Sequence, residues 1–214
     1  MRRSSKEVAI QAIIFGTLGF RASLEVTEHP RCSEICSRLL PWLEQLNFDD
    51  RVEEFHREIL NTPHGDLPRE FESEAVWRGE AAYFLGWAIQ LFDKPPPSTF
   101  TDPGALTDVL RLLQPNANEL VSSAQLRPQP EIDDYCAFCL TVRHLFQVTA
   151  IPTNGRDSLI RAYQFRLAEL GLSEASFRHQ PSEAASLISS SVGDVRGLYV
   201  VRSLAAEWLL GAGE

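Results

Sequence analysis

Hydrophobic residues recur along this chain with the spacing of α-helices, and the clearest pattern lies between residues 73 and 93. At about 100° per residue, apolar side chains cover two adjoining faces of this segment, so we predict a helix that is buried on most sides. The first face carries Trp77, Ala81, Phe84, Leu85, Ala88, Leu91 and Phe92. Ser73 is placed to cap the helix, and a proline run beginning at Pro95 prevents its continuation.

Weaker helical patterns lie on both sides of this central segment. We predict helices at 6–19, 31–47, 103–115, 118–124, 131–150, 156–171 and 194–210, with one short helix within 173–193. A further helix starts at residue 49 or 50 and runs to residue 60. No stretch shows the alternation typical of strands, and no fixed repeat appears. The sequence therefore predicts an all-α fold: one compact domain over residues 1–214, with about eight to ten helices around the buried central helix 73–93.

Several residues mark where the flanking helices should start and stop. Gly19 is placed to end the first helix, because glycine tolerates the left-handed conformation of a helix terminus. Asp50 and Glu53 have the spacing of a capping box. Asp102 followed by Pro103 predicts a helix start, with aspartate as the cap and proline in the first turn.

The charge balance narrows the classes of partner. The chain has 29 acidic and 20 basic residues and a formal net charge of −9, so we expect no nucleic-acid ligand, which would require a basic surface. Arg2 and Arg3 precede an apolar run typical of a secretory signal, but Glu7 and Gln11 interrupt it and no cleavage pattern follows. No stretch is a membrane-spanning segment by length. We expect a cytoplasmic protein with no membrane contact.

The four cysteines form two helically spaced pairs, Cys32 with Cys36 and Cys136 with Cys139. Four thiolates could hold zinc in a tetrahedral site. The second pair lies among apolar residues in the middle of a predicted helix, where free cysteine behaves as a small hydrophobic residue. We therefore favour core cysteines and expect no metal and no cofactor.

Catalytic motifs are absent from the sequence. Glu53 and His56 form a single ExxH, whereas a di-iron site needs two, and we expect His56 to be partly exposed on its helix. No HExxH, GxSxG, phosphate-binding loop or dinucleotide motif occurs. We predict no catalytic residue and leave enzymatic activity open, with the balance against it.

Three charged residues fall on or beside apolar helix faces: Glu80, Arg143 and Arg202. Burying a charge is costly unless it is paired and hydrogen-bonded, so we expect Glu80 to contact one or both arginines. Trp77 and Arg78, close to Glu80 on its helix, complete the predicted buried polar network. A ligand pocket and a structural ion network are both compatible with this pattern, and we favour the network.

A cluster of acids lies along one edge of the third predicted helix: Asp49, Asp50, Glu53, Glu54 and Glu58. Such a cluster generates a negative field that speeds and orients the docking of a basic protein. The alternative is a solvated helix face with no partner. We predict this edge as the partner-binding surface.

The central segment resembles a bacterial family known as domain of unknown function DUF4272. Trp77, Arg78, Glu80, Trp87 and Pro95 stand at positions of the family's Trp-Arg-x-Glu, leucine-rich and proline hallmark.

Two further motifs carry the same resemblance. Residues 6–12 are similar to the family's E-V-A-x-R-A, with Gln11 where arginine is usual, and Arg202 and Trp208 match a motif near its end. The resemblance implies an α-helical bacterial protein and no known activity.

Three functions are compatible with these observations. The first is a non-catalytic protein-binding role, as an immunity protein that neutralises the basic domain of a toxin delivered by contact or by a secretion system. The second is an enzyme with a dispersed polar site near Glu80, Arg143 and Arg202. The third is a helical adaptor or regulatory scaffold. We favour the first, and a homo-oligomer is compatible with all three.

Overall fold

A computed structural model describes residues 2–28, 30–95, 100–149 and 195–211. These residues form eight α-helices and one 3-10 helix and contain no strand, so the predicted all-α class is confirmed. The elements are α1 (Ser5–Glu25), α2 (Cys32–Gln45), the 3-10 helix (Asp49–Arg51), α3 (Glu54–Asn61), α4 (Arg69–Ala88), α5 (Pro103–Val109), α6 (Ala117–Ser123), α7 (Gln129–Thr149) and α8 (Val195–Leu210). The helices predicted at 156–171 and within 173–193 lie outside the described residues.

The centre of the fold is shared by two helices, α1 and α4, which pack closely along their lengths. They meet at Gly19 and Gly79, where a Cβ atom added to Gly19 would lie 2.7 Å from the Cα atom of Gly79. The prediction that Gly19 ends the first helix is wrong, because α1 continues to Glu25. The glycine is explained by the close approach of two backbones.

Burial accounts for the strongly apolar composition of α1. Within the described residues, α1 is the one helix that is long and apolar enough to cross a membrane, and 72% of that apolar window is buried inside the fold. Its side chains pack against α2, α4, α5 and α6. A core helix of this kind needs apolar residues on nearly every face.

The ends of α4 differ from the prediction. The helix begins at Arg69, before Ser73, and ends at Ala88, well before residue 93. The proline run does not terminate it. Instead, Gln90 adopts a left-handed conformation with φ of 67°, and Arg127 donates hydrogen bonds to the Trp87 carbonyl at 2.7 Å and to the Phe92 carbonyl at 2.9 Å. The bond to Trp87 gives a partner to a carbonyl group in the last turn of α4, and the bond to Phe92 holds the segment that follows the helix.

The acidic third helix is also divided differently from the prediction. The Asp50–Glu53 capping box does not form, because the chain makes a 3-10 turn at residues 49–51 and α3 starts only at Glu54. Between the two, Val52 is extended and its side chain is buried in the core. Burial of this β-branched residue outweighs the local capping preference.

The predicted cap of α5 is confirmed. The Asp102 side chain accepts a hydrogen bond from the backbone N–H of Gly104 at 2.9 Å, and Pro103 occupies the first turn. The helix is shorter than predicted because Arg111 takes a left-handed conformation just after it, with φ of 55°. The remaining described helices agree with the predictions within about two residues at each end.

Aromatic stacking attaches α7 and α8 to the centre of the fold. Tyr135 on α7 stacks on Phe84 of α4 at 5.6 Å between ring centroids and meets Trp87 edge-on at 4.7 Å. Phe138 on the same helix meets Tyr199 of α8 edge-on at 5.6 Å. This packing brings α8 against α4 and places Arg202 beside Glu80.

Candidate functional site

The structure brings Glu80 and Arg202 together in the core. Their side chains are 3% and 1% exposed, and Arg202 Nη2 lies 3.5 Å from Glu80 Oε2. Thr101 completes the site, because its backbone N–H donates to Glu80 Oε1 and its hydroxyl donates to Oε2 at 3.1 Å. Both carboxylate oxygens therefore have partners from the chain itself.

The pKa of Glu80 is subject to two opposing effects, as in buried ion pairs that stabilise a fold. Burial raises the pKa of the Glu80 carboxyl, whereas the positive charge of Arg202 and the hydrogen bonds from Thr101 act in the opposite direction. A buried acid with no partner would be far more costly. The arrangement favours an ion network that fixes how α8 sits on α4.

The other members of the predicted network lie elsewhere. Arg143 donates to the Ser203 hydroxyl and pairs with Glu207, each at 3.2 Å, and its side chain is 23% exposed. It therefore joins α7 to α8 without contacting Glu80. Trp77 packs on Phe100.

Arg78 also points away from the ion pair. Its guanidinium group lies 2.6 Å from Glu74 and 4.8 Å from the ring centroid of Phe15 on α1. The network predicted from sequence is thus divided into one buried pair and two separate surface-facing contacts.

The predicted acidic cluster lies at the surface, with one exception. Asp50 and Glu53 have side chains that are 73% and 71% exposed, and Glu54 and Glu58 are also exposed. Asp49 is half-buried, and its backbone carbonyl accepts a hydrogen bond from the Arg57 side chain. We call the set Asp49, Asp50, Glu53, Glu54 and Glu58 the acidic surface.

A large apolar side chain lies within the acidic surface. Phe55 is 41% exposed and meets Phe71 of α4 edge-on, with ring centroids 4.9 Å apart. Glu54 and Glu58 line an open groove on the same helix together with Arg57, Asn61 and Thr62. The spacing of Val52, Phe55, Ile59 and Leu60 predicts that all four lie on the buried edge of this helix. The structure buries the other three and leaves Phe55 exposed.

The prediction that His56 is partly exposed is wrong. Its side chain is 1% exposed, lies edge-on to Phe15 at 5.8 Å, and has Glu53 3.6 Å from Nδ1. Among the described residues, none hydrogen-bonds to Nε2. Burial lowers the pKa of His56, and the charge of Arg78 lowers it further, although Glu53 and Glu74 act against this shift.

The four cysteines are buried free thiols, divided between α2 and α7. Burial raises the pKa of Cys136 and of Cys139 to about 12, so both are protonated at neutral pH. Over the described parts of the chain, no group of three or more His, Cys, Asp or Glu side chains is arranged to hold a metal ion.

Sequence reasoning missed one fully buried charge on α1. Arg21 pairs with Glu25 and donates to the carbonyl groups of Thr62 at 2.9 Å and Pro63 at 3.2 Å. Its signal was present in the sequence, since Arg21 continues the apolar pattern of the first helix. Because the sequence predicts a helix end at Gly19, Arg21 falls outside the predicted helix.

A family model described as a domain of unknown function, DUF4272, matches residues 2–151. The chain belongs to the DUF4272 family. No curated protein and no solved structure matches it.

Membership of DUF4272 confirms the resemblance seen in the central segment and extends it to residues 2–151. The matched region includes α1 to α7 and Glu80, but it ends before α8. The similarity seen at Arg202 and Trp208 therefore lies outside the match. The family description names no activity.

Proposed function

We propose that this protein binds a basic protein partner through the acidic surface, and that the partner is a toxin which it neutralises. The observation that carries the proposal is the exposed side chain of Phe55, surrounded by exposed carboxylates. An apolar anchor with a charged rim is the usual arrangement of a protein-binding patch.

The two components of this patch have different expected roles. Glu53, Glu54 and Asp50 carry negative charge into solvent and would attract and orient a basic surface before contact. Phe55 rests on Phe71 and offers a supported aromatic face that a partner could bury. Burial of an aromatic side chain at the centre of an interface commonly dominates the binding energy.

The enzyme hypothesis has less support from the geometry. Glu80 is almost fully buried, and both of its oxygens bond to Thr101 or Arg202. Arg143 faces Glu207, on a different part of α8. The three residues proposed as a dispersed active site thus do not converge on one space that a substrate could enter.

The proposal is tested with a purified basic toxin domain as the candidate partner. Association and dissociation rates are measured by stopped flow as ionic strength rises. We expect association to slow steeply, because salt screens the steering field. Reversal of three acids, with Asp50, Glu53 and Glu54 replaced by lysine, should slow association more than it speeds dissociation.

A control reverses the same number of charges elsewhere. Glu28, Asp108 and Asp134 are exposed acids outside the acidic surface, and their replacement by lysine changes the net charge equally. If both triple variants bind alike, the acidic surface is not the interface. A Phe55→Ala variant should speed dissociation with little change in association rate.

Growth assays distinguish the immunity role from that of an adaptor. Co-expression of the wild-type protein should protect cells from the toxin, and the acidic-surface reversal should abolish protection while the control reversal retains it. Tight binding without protection would support an adaptor instead.

A further inference from the structure

His56 is the one buried histidine in the described part of the chain, and its ring lies in an apolar setting. Phe15 of α1 and Phe55 of its own helix lie against it, with ring centroids at 5.8 Å and 6.1 Å. Nδ1 is 3.6 Å from Glu53, which is longer than a hydrogen bond. Since Nε2 has no partner among the described residues either, the chain offers this ring no close acceptor.

The buried position suits the neutral form of the His56 ring better than the charged form. A neutral imidazole carries one N–H group, whereas the protonated ring carries two. Within the core, the second N–H would be a buried donor without an acceptor, which is costly. In water, both donors would find acceptors, so uptake of a proton favours a state in which the ring is solvated.

The charged groups around the ring come from two elements. On α4, Arg78 opposes a positive charge at His56 and Glu74 favours it; Glu53, just before α3, also favours it. From α1 the ring meets Phe15. Across the ranges that the structure describes, α1 and α2 add no charge that acts on the ring. Burial is the largest effect, so the pKa of His56 is lowered.

The helix that carries His56 is short and is held by few side chains. It has eight residues, fewer than an isolated helix needs to be stable in water. Its N-terminus has no side-chain cap, and the chain is extended at Val52 before it and at Thr62 after it. Only His56, Ile59 and Leu60 of α3 are buried. Such a helix can open at a lower free energy than the whole fold.

We propose that uptake of a proton by His56 releases α3 from the core, so that the attachment of this helix depends on pH. The neutral ring packs inward together with Ile59 and Leu60. The protonated ring is solvated instead, and α3 turns outward about the extended residues on either side. Because Glu54 and Glu58 lie on α3, the acidic surface changes shape when the helix is released.

The test is native-state hydrogen exchange of the full-length, ¹⁵N-labelled protein, observed by NMR at about pH 7.5 and about pH 5.5. The measured rate is divided into the rate of an unstructured chain at the same pH, which gives a protection factor. The reporters are the amides of Arg57 and Thr62, which donate to the carbonyls of Glu53 and Glu58 at 3.0 Å. Their protection should fall about threefold or more at the lower pH, within the limit of about tenfold per pH unit for one proton.

An internal reference and two variants separate the effect of His56 from other effects of pH. The reference is α6, which has seven residues and no histidine and packs against α1, and its protection should stay constant. His56→Gln should remove the pH dependence in α3. His64→Gln is the matched control and should retain it, because His64 lies just past α3 and contacts the Leu24 carbonyl at 2.9 Å.

A second measurement keeps His56 in place. The NMR titration of its Cε1–H signal should give a midpoint below 6.5, the ordinary value. Glu53→Gln should lower the midpoint further, because it removes a charge that favours protonation. Glu54→Gln removes the same charge from the next residue, which is not among the groups that act on the ring, and should leave the midpoint unchanged.

Any of four results would overturn the proposal: a ring midpoint at or above 6.5, α3 protection that does not change with pH, an equal fall in α6, or a pH dependence that persists in His56→Gln. Equal midpoints for Glu53→Gln and Glu54→Gln would also contradict it, as would loss of the pH dependence in His64→Gln. None of these measurements uses a partner. The release of α3 and the proposed function therefore stand or fall separately.

Discussion

The buried ion pair and the acidic surface place the same chemical group in opposite environments. Glu80 is 3% exposed and each of its oxygens has a partner, whereas Glu53 is 71% exposed and faces water. In water a carboxylate is already well solvated, so an additional contact contributes little. In the core the same group depends entirely on Arg202 and Thr101.

This difference indicates what each region is suited for. Substitution of the exposed acids should leave the free energy of unfolding almost unchanged, so these positions can be adapted to the charge of a binding partner. The buried pair fixes the position of α8 and tolerates little change. Substitutions in the two regions should therefore differ widely in their effect on the free energy of unfolding.

Glu80→Ala should lower the free energy of unfolding by about 3–5 kcal/mol, because it breaks a buried ion pair by removing the carboxylate beside Arg202. Urea denaturation followed by circular dichroism measures the change. Glu53→Ala serves as the exposed control. An unchanged midpoint for Glu80→Ala would mean that the pair does not stabilise the fold.

Thr101→Val should cost about 1.5–3 kcal/mol, because it removes the hydroxyl hydrogen bond to a charged and buried carboxylate. The backbone N–H bond to Glu80 remains, so the loss should be smaller than that of Glu80→Ala. Thr141→Val is the matched control, since the Thr141 hydroxyl bonds only to its own exposed helix turn. Equal costs for the two threonines would contradict the prediction.

His56 should make the protein less stable as the pH falls. Its pKa in the folded state lies below the unfolded value of 6.5, so below about pH 6.5 the unfolded chain binds a proton that the folded chain does not. Stability should therefore be full above this pH and decline below it, by at most about 1.4 kcal/mol per pH unit, until the lower folded pKa is passed. In a His56→Gln variant this component of the slope should vanish, and an unchanged slope would contradict it.

Single substitutions of Glu53, Glu54 or Glu58 by alanine should change the free energy of unfolding by no more than about 0.5 kcal/mol. The same variants should measurably slow association with a basic partner. A destabilisation above about 1 kcal/mol would show that these carboxylates contribute to the fold, and the contrast with Glu80 would fail.

Much of the fold was predictable because periodic burial is a local property of sequence. The helical class, the cap at Asp102 and the inward position of Arg202 all follow from residue spacing. Features that depend on a distant partner were not predictable. The sequence predicts a helix end at Gly19, because the close approach of Gly79 that explains the glycine involves a residue sixty positions away.

In the candidate site, too, local spacing was informative and contacts with distant residues were not predictable. The sequence indicated that Glu80 needed a positive partner, but both arginines had similar patterns, and only the packing of α8 places Arg202 beside it and Arg143 beside Glu207. The Thr101 contacts could not be inferred, because they depend on how the chain returns after α4. Phe55 was misplaced since a helical wheel cannot tell a buried edge from an exposed one.

The packing of Trp77 has a consequence for where this protein can be cut. Its indole ring fills the space above Gly197, where a Cβ atom would lie 2.5 Å from the ring, so α8 closes over the same stretch of α4 that holds Glu80. A fragment ending at residue 151 would contain the whole region that the family model matches. It would lack α8, and with it Arg202 and the backbone that packs on Trp77. We expect such a truncation to aggregate, because it would expose the apolar side chains of α4 that α8 covers.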